Sequence, residues 1–233
     1  MKKHNILVIS PTYNERENID KFTNNILDLN FKVLIIDDNS PDGTANVISK
    51  KEGFQKNIFL ISRKEKLGYG SAVIEGFNFG IDNNFDFIVQ MDADLSHRKK
   101  DLIDMMKYID KYDVIVGSRY IPGGGSKGWG IHRKLLSKYA NKLAKFVTKS
   151  GINDMTTGFR IYKKTALERI EYKNSESNGY SFLVDILNKC SKANLKIKEV
   201  PILFVDRELG KSKMDLKIIL EGIRTLFKLY LQN

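Results

Sequence analysis

Val89-Gln90-Met91-Asp92-Ala93-Asp94-Leu95-Ser96-His97 closes the apolar run Phe85-Asp86-Phe87-Ile88-Val89 with two carboxylates one residue apart. The run is short, aromatic and β-branched, which predicts a buried strand of an α/β sheet. Ligands of open α/β sheets collect at the carboxyl ends of the strands, so Asp92 and Asp94 stand where chemistry is expected. Two carboxylates with no Cys or His ligand pattern nearby suit a hard, oxygen-seeking cation, Mg²⁺ or Mn²⁺, and such a cation commonly neutralises a diphosphate. An isolated Asp-x-Asp also reads as a polar loop between a strand and a helix, and the rest of the chain has to decide between the two.

Outward from this stretch, strand-like runs alternate with segments of helical spacing. The strands are expected at Asn5 to Ser10, Lys32 to Asp37, Asn57 to Ser62, Phe85 to Met91 and Asp113 to Ser118, the helices at Glu15 to Asp28, Asp42 to Lys51, Gly68 to Asp82 and Lys99 to Lys111. That βαβ rhythm predicts a Rossmann-like, mostly parallel, right-handed sheet flanked by helices. Three further loops follow predicted strands or open helices. Pro11-Thr12-Tyr13-Asn14-Glu15 places Tyr13 and Glu15 beside any nucleotide. Asp37-Asp38-Asn39-Ser40-Pro41-Asp42-Gly43-Thr44 offers Ser40 or Asp42 as a helix cap, and leaves Asp38 to accept hydrogen bonds from a base or ribose. Gly68-x-Gly70 is a tight turn into a helix that lacks the full phosphate-loop fingerprints.

The 233 residues are 42% hydrophobic and 29% charged, a globular balance read as a single domain over 1–233 with an amphipathic helix over 214–233 within it. One cysteine, Cys190, excludes an intramolecular disulfide framework. Met1-Lys2-Lys3-His4 leads directly into a strand, so no amino-terminal signal is expected, and no run of about 18 apolar residues offers a membrane span. The net charge is +11, and between Arg98 and Ser150 13 Lys and Arg stand against 4 Asp. Such a patch draws an anionic partner. Ten tyrosines beside that charge raise a nucleic-acid-binding alternative, but the chain carries no nucleic-acid motif that would support it.

Taken in order, Pro11-Thr12-Tyr13-Asn14-Glu15, Asp37-Asp38-x-Ser-Pro-Asp-Gly-Thr44, Arg63-x-x-Lys66-Leu67-Gly68-x-Gly70 and Met91-Asp92-Ala93-Asp94-Leu95-Ser96-His97 resemble a family 2 glycosyltransferase with a GT-A fold. More closely, they resemble the dolichyl-phosphate (polyprenyl-phosphate) mannose synthases without transmembrane helices. The likeness continues through Gly117-Ser118-Arg119-Tyr120, Gly128-Trp129 with Arg133, Thr156-Thr157-Gly158-Phe159-Arg160, Gly179-Tyr180-x-Phe182 and Val200-Pro201-Ile202 to Asp206-Arg207 and Ser212-Lys213.

The resemblance implies an inverting transfer of mannose from GDP-mannose to a dolichyl or polyprenyl monophosphate; a UDP-sugar donor is the alternative. By the same resemblance Pro11, Tyr13, Glu15, Ile36 and Asp38 hold the nucleotide, and Asp92, Ala93 and Asp94 meet donor and metal. It also puts Arg119, Arg207 and Lys213 on phosphates, and Arg133 and Ser137 at the lipid phosphate. The resemblance further implies that Asp94, Arg119 and Arg133 carry the catalysis. A planar guanidinium meets phosphate oxygens with two parallel hydrogen bonds, which supports the arginines independently; the competing expectation for Arg119 and Arg207 is an ion pair with a carboxylate such as Asp206. Ser96 stands where some members carry Gln as a further metal ligand, Asn39 replaces a frequent Gly, Thr157 a frequent Ser, and Asp185 a common Glu. His97 reads either as a general base or as a loop histidine.

Ile131 to Lys149 sets Leu135, Leu136, Tyr139, Ala140, Leu143 and Val147 at helical spacing with Lys134, Lys138, Lys142, Lys145 and Lys149 on other faces. Such a helix lies on an anionic membrane or packs its stripe into the core, and sequence leaves both open. The expected location is cytoplasmic and peripheral to the membrane, with a small membrane-anchored protein as a further partner.

Overall fold

The computed structural model describes residues 4–175 and 179–207 together with Arg224. Its strands are β1 (Ile6–Thr12), β2 (Lys32–Asp37), β3 (Ile58–Ser62), β4 (Phe87–Gln90), β5 (Val114–Ser118), β6 (Gly125–Lys127), β7 (Arg160–Lys163), β8 (Ile197–Pro201) and β9 (Leu203–Val205). The helices between them are α1 (Arg16–Leu27), α2 (Thr44–Ser49), α3 (Tyr69–Asp82), α4 (Lys99–Met106), α5 (Ile131–Thr148), α6 (Lys164–Glu168) and α7 (Gly179–Lys192). Seven strands form one sheet in the order β3-β2-β1-β4-β7-β5-β8, and β6 pairs with β9 in a second. All pairings are parallel except those of β7, which runs antiparallel between β4 and β5.

Alternation along each strand sends side chains to two cores, which is why the strands read as continuous apolar runs. Leu7, Ile9, Leu34, Ile36, Ile88 and Val116 pack with Phe77 of α3 and Phe182 of α7. Val8, Val33, Ile35, Val89 and Ile115 pack on the other face with Ile19 and Phe22 of α1 and Leu102 of α4. Helix α3 sits close on the sheet because two of its residues have no side chain. A Cβ on Gly76 would lie 2.8 Å from Ile9 Cδ1, and one on Gly80 2.5 Å from Ile88 Cγ1.

The five expected strands and four expected helices are present, most with shorter ends, although β2 matches its expected bounds and β1 runs on to Thr12. Helix α4 stops at Met106 rather than Lys111, and α2 starts at Thr44, where Asp42 accepts the Thr44 backbone N–H at 2.9 Å. Lys213 and the expected helix over 214–233 lie outside the described residues, Arg224 apart. No helix among the described residues is long and apolar enough to cross a membrane.

Candidate active site

The carboxyl ends of β1 and β4 open into a cleft of about 230 Å³. Pro11, Glu15, Asp92, Ala93 and Asp94 line it, as do Arg119, Arg133 and Arg207. His97 joins them, as do residues with no expected role: Tyr69, Trp129, Thr156, Thr157, Gly158 and Phe204.

The Asp92-to-His97 loop is held from several sides. Asp94 Oδ1 accepts the Ser96 backbone N–H at 3.1 Å and its hydroxyl at 2.5 Å, while Asp94 Oδ2 lies 3.3 Å from Arg207 Nη2. Asp92 Oδ1 accepts the Tyr69 hydroxyl at 3.3 Å, and Tyr69 in turn accepts from Gln90 Nε2 at 2.9 Å. Burial, then the neighbouring charge of Asp92, hold the Tyr69 phenol well above its ordinary range. Leu95 takes a left-handed φ of 62°, a conformation costing about 1–2 kcal/mol for a residue with a side chain. The Val205 N–H bonded to Ser96 O at 3.1 Å helps hold the loop there.

His97 is part of that support. It is buried, stacks on Phe159 at 4.7 Å between ring centroids, and accepts the Asp92 backbone N–H on Nδ1 at 3.2 Å. Burial pushes its imidazole down to about 4, so near neutral pH it is uncharged and its proton sits on Nε2. This is the loop histidine of the two expectations. Ser96 spends its hydroxyl on Asp94 rather than pointing to a ligand.

Two carboxylates at a strand end fit Mg²⁺ or Mn²⁺, which bind through one or two carboxylates and take further oxygens from phosphate and water. Among the described residues no cluster of three or more His, Cys, Asp and Glu offers a fuller cage.

The arginines differ in how they are committed. Arg119 Nε and Nη2 each lie 2.7 Å from an oxygen of Asp154, and Nη2 also reaches Thr156 Oγ1 at 2.9 Å. Asp206 was the expected carboxylate for Arg119 or Arg207; it pairs instead with Arg133, at 2.9 and 3.2 Å. Arg133 also lies over the Trp129 ring, 4.2 Å from its centroid. One helical turn further along α5, Ser137 Oγ accepts the Tyr120 hydroxyl at 2.7 Å. A turn beyond, Asn141 Oδ1 accepts the N–H groups of Met155 and Thr156 at 2.7 and 3.1 Å. Helix α5 therefore pins the Thr156-Thr157-Gly158 loop to the cleft.

Three expected nucleotide residues sit elsewhere. Ile36 is wholly buried among core residues and does not line the cleft. Asp38 accepts from Arg63 at 2.9 Å, Leu67 N–H at 2.8 Å and Gly68 N–H at 2.9 Å, and so braces the turn into α3. Tyr13 lies outside the cleft lining, its ring 3.7 Å from Lys66 Nζ.

Helix α5 also answers the question left open for its apolar stripe. Ile131, Leu135, Leu136, Tyr139, Leu143 and Phe146 are 47–74% exposed, and the buried side is the smaller set Asn141, Ala144, Val147 and Thr148.

A mostly parallel sheet offering an Asp-x-Asp loop and guanidiniums at its strand ends is the architecture of a GT-A glycosyltransferase. The chain belongs to glycosyl transferase family 2, whose sequence profile matches residues 7–171. It is 37% identical over 212 residues to a polyprenol monophosphomannose synthase of Mycolicibacterium smegmatis, covering 89% of this chain and 80% of that one. It is 35% identical over 220 residues to an undecaprenyl-phosphate mannosyltransferase of Micrococcus luteus, covering 94% and 90%. Among solved structures, mannosyl-3-phosphoglycerate synthase of Rubrobacter xylanophilus superposes with a TM-score of 0.70 at 17% identity, over 98% of this chain and 74% of that one. Glucosyl-3-phosphoglycerate synthase of Mycobacterium tuberculosis, solved with Mn²⁺, UDP-glucose and phosphoglyceric acid, gives 0.68 at 15% identity, over 97% and 80%.

Proposed function

We propose that the protein transfers mannose from GDP-mannose to a dolichyl or polyprenyl monophosphate, with inversion at the anomeric carbon. The observation that carries this reading is the convergence of Asp92 and Asp94 with Arg119, Arg133 and Arg207 on one cleft. Two carboxylates suit a metal on a diphosphate, and the guanidiniums suit the phosphates of two substrates. The names of the two relatives, a monophosphomannose synthase and an undecaprenyl-phosphate mannosyltransferase, support mannose and a lipid phosphate.

Asp92 and Asp94 would hold Mg²⁺ or Mn²⁺. Bound there, the ion supplies charge neutralisation to the departing diphosphate. A lipid monophosphate has a second pKa near ~6, so its oxygen is anionic at neutral pH. That oxygen bonds to the anomeric carbon as the bond from that carbon to the GDP diphosphate breaks, and GDP leaves with the electron pair. No side chain has to remove a proton, in keeping with a buried, uncharged His97. The protein's part is to align the two phosphates by its arginines and to stabilise the charge that develops.

The exposed apolar arc of α5, flanked by lysines, supports docking on an anionic membrane, where the acceptor resides. Arg133 and Ser137 on the same helix would then meet the lipid phosphate. Calorimetric titration with Mn²⁺ present, GDP-mannose against UDP-glucose, tests the donor. Binding of GDP-mannose that is lost on chelation is expected. Preference for UDP-glucose would move the enzyme to the glucosyl branch.

A further inference from the structure

We propose that Tyr69 is a positioning residue that fixes the Asp92 carboxylate through a Gln90–Tyr69–Asp92 hydrogen-bond relay, and so sets how that carboxylate meets a divalent cation. This rests on the reading of Asp92 and Asp94 as metal ligands.

The direction of the relay follows from the groups themselves. An ionised Asp92 can only accept, so the 3.3 Å contact requires the Tyr69 hydroxyl to donate its proton. The Tyr69 oxygen then accepts, and the 2.9 Å contact from Gln90 must come from the amide nitrogen. Gln90 Oε1 is left buried with no hydrogen-bond partner, an arrangement that costs stability. Gln90 is also fully buried on β4, a strand closed on both faces where an apolar residue would pack without that cost. Its bond to Tyr69 ties it to the cleft, which accounts for a polar residue at that position.

The pair is confined from two other directions. Tyr69 opens α3 directly after the turn that Asp38 and Arg63 brace, so its ring enters the cleft from a fixed base. Opposite, a Cβ on Gly158 would lie 2.6 Å from the Tyr69 hydroxyl and 3.3 Å from Asp92 Oδ1. The Thr157-Gly158 backbone therefore closes over both groups, and only glycine leaves them where they are. Groups that orient a metal ligand from behind typically change metal affinity about 10–100-fold when removed.

The test measures Mn²⁺ binding to the full chain with GDP present, by electron paramagnetic resonance or calorimetry. In Tyr69→Phe the Mn²⁺ Kd is expected to weaken about 10-fold or more, with GDP affinity in chelator unchanged and the melting temperature lowered, because Gln90 Nε2 loses its acceptor. Gln90→Leu separates positioning from structure: it is expected to raise the melting temperature by removing the orphaned oxygen, while weakening Mn²⁺ in the same direction as Tyr69→Phe. A Tyr69→Phe protein that binds Mn²⁺ within twofold of the wild type overturns the relay and leaves the metal reading intact. A wild type that binds no Mn²⁺ with GDP removes the metal reading, and the relay's role with it.

Discussion

Arg119 and Asp154 meet edge to edge, with two 2.7 Å hydrogen bonds between guanidinium and carboxylate and a third, 2.9 Å bond from the Arg119 backbone N–H. Asp154 is completely buried. The pair holds the guanidinium of a cleft arginine in one orientation, so that Arg119 would meet a phosphate from a fixed position. Removing one partner of a buried pair strands the other charge, at a cost of about 3–5 kcal/mol. Asp154→Ala is therefore expected to lose that much in urea denaturation; a loss below about 1 kcal/mol, the range of exposed pairs, would mean that Arg119 finds another partner.

Asp94→Asn keeps an oxygen for the Ser96 hydrogen bonds but removes the charge. Transfer is expected to fall about 100-fold or more with the melting temperature close to that of the wild type. Full activity in this variant would take Asp94 out of the site.

Arg133 and Asp206 are each about a third exposed, at 28% and 31% of the side chain, so their pairing contributes little stability. Arg133→Ala should leave the fold and GDP-mannose affinity unchanged. The KM for the lipid phosphate should rise about 10-fold or more, the worth of a charge-assisted hydrogen bond. A raised donor KM with an unchanged acceptor KM would reverse the assignment.

Leu135 and Phe146 lie in the exposed apolar arc of α5. Leu135→Glu with Phe146→Glu should shift stability by no more than about 0.5 kcal/mol per site. Binding to vesicles of anionic lipid should fall at least about 10-fold, because burying each such side chain contributes about 1.5–3 kcal/mol. Unchanged sedimentation with vesicles would show that α5 is not the docking face.

The first half of the fold was legible because strands β1 to β5 are apolar runs punctuated by turn residues, and Asp92 and Asp94 fall where the fourth run breaks. Strand β7 was not: Arg160-Ile161-Tyr162-Lys163 is short, half of it is basic, and its buried arginine donates to the distant carbonyl oxygens of Leu183 and Met155 as well as to the Tyr162 hydroxyl. Ile36 shows how a strand-end position can still turn its side chain to the core. It sits at a strand's carboxyl end, yet it alternates with Leu34 onto the core face. Asp38 and Arg119 carry the residue types a ligand site needs, and only the distant partners Arg63 and Asp154 reveal that both are also tied into the fold. For α5, both an apolar and a basic face were visible, but which side meets the protein depended on Asn141 reaching the loop at Met155 and Thr156.

The insertion of β7 between β4 and β5 also governs how the chain is born. During synthesis β1 to β4 can pair as soon as they emerge, but β5, all of whose residues end up buried, has only β7 and β8 as neighbours. Roughly forty further residues must leave the ribosome before Arg160 to Lys163 arrives, which at about 5–20 residues per second is a wait of some seconds. Throughout that interval β5 waits without its sheet neighbours, and the cleft is completed last, when Thr156 to Gly158 and then Phe204 and Arg207 arrive.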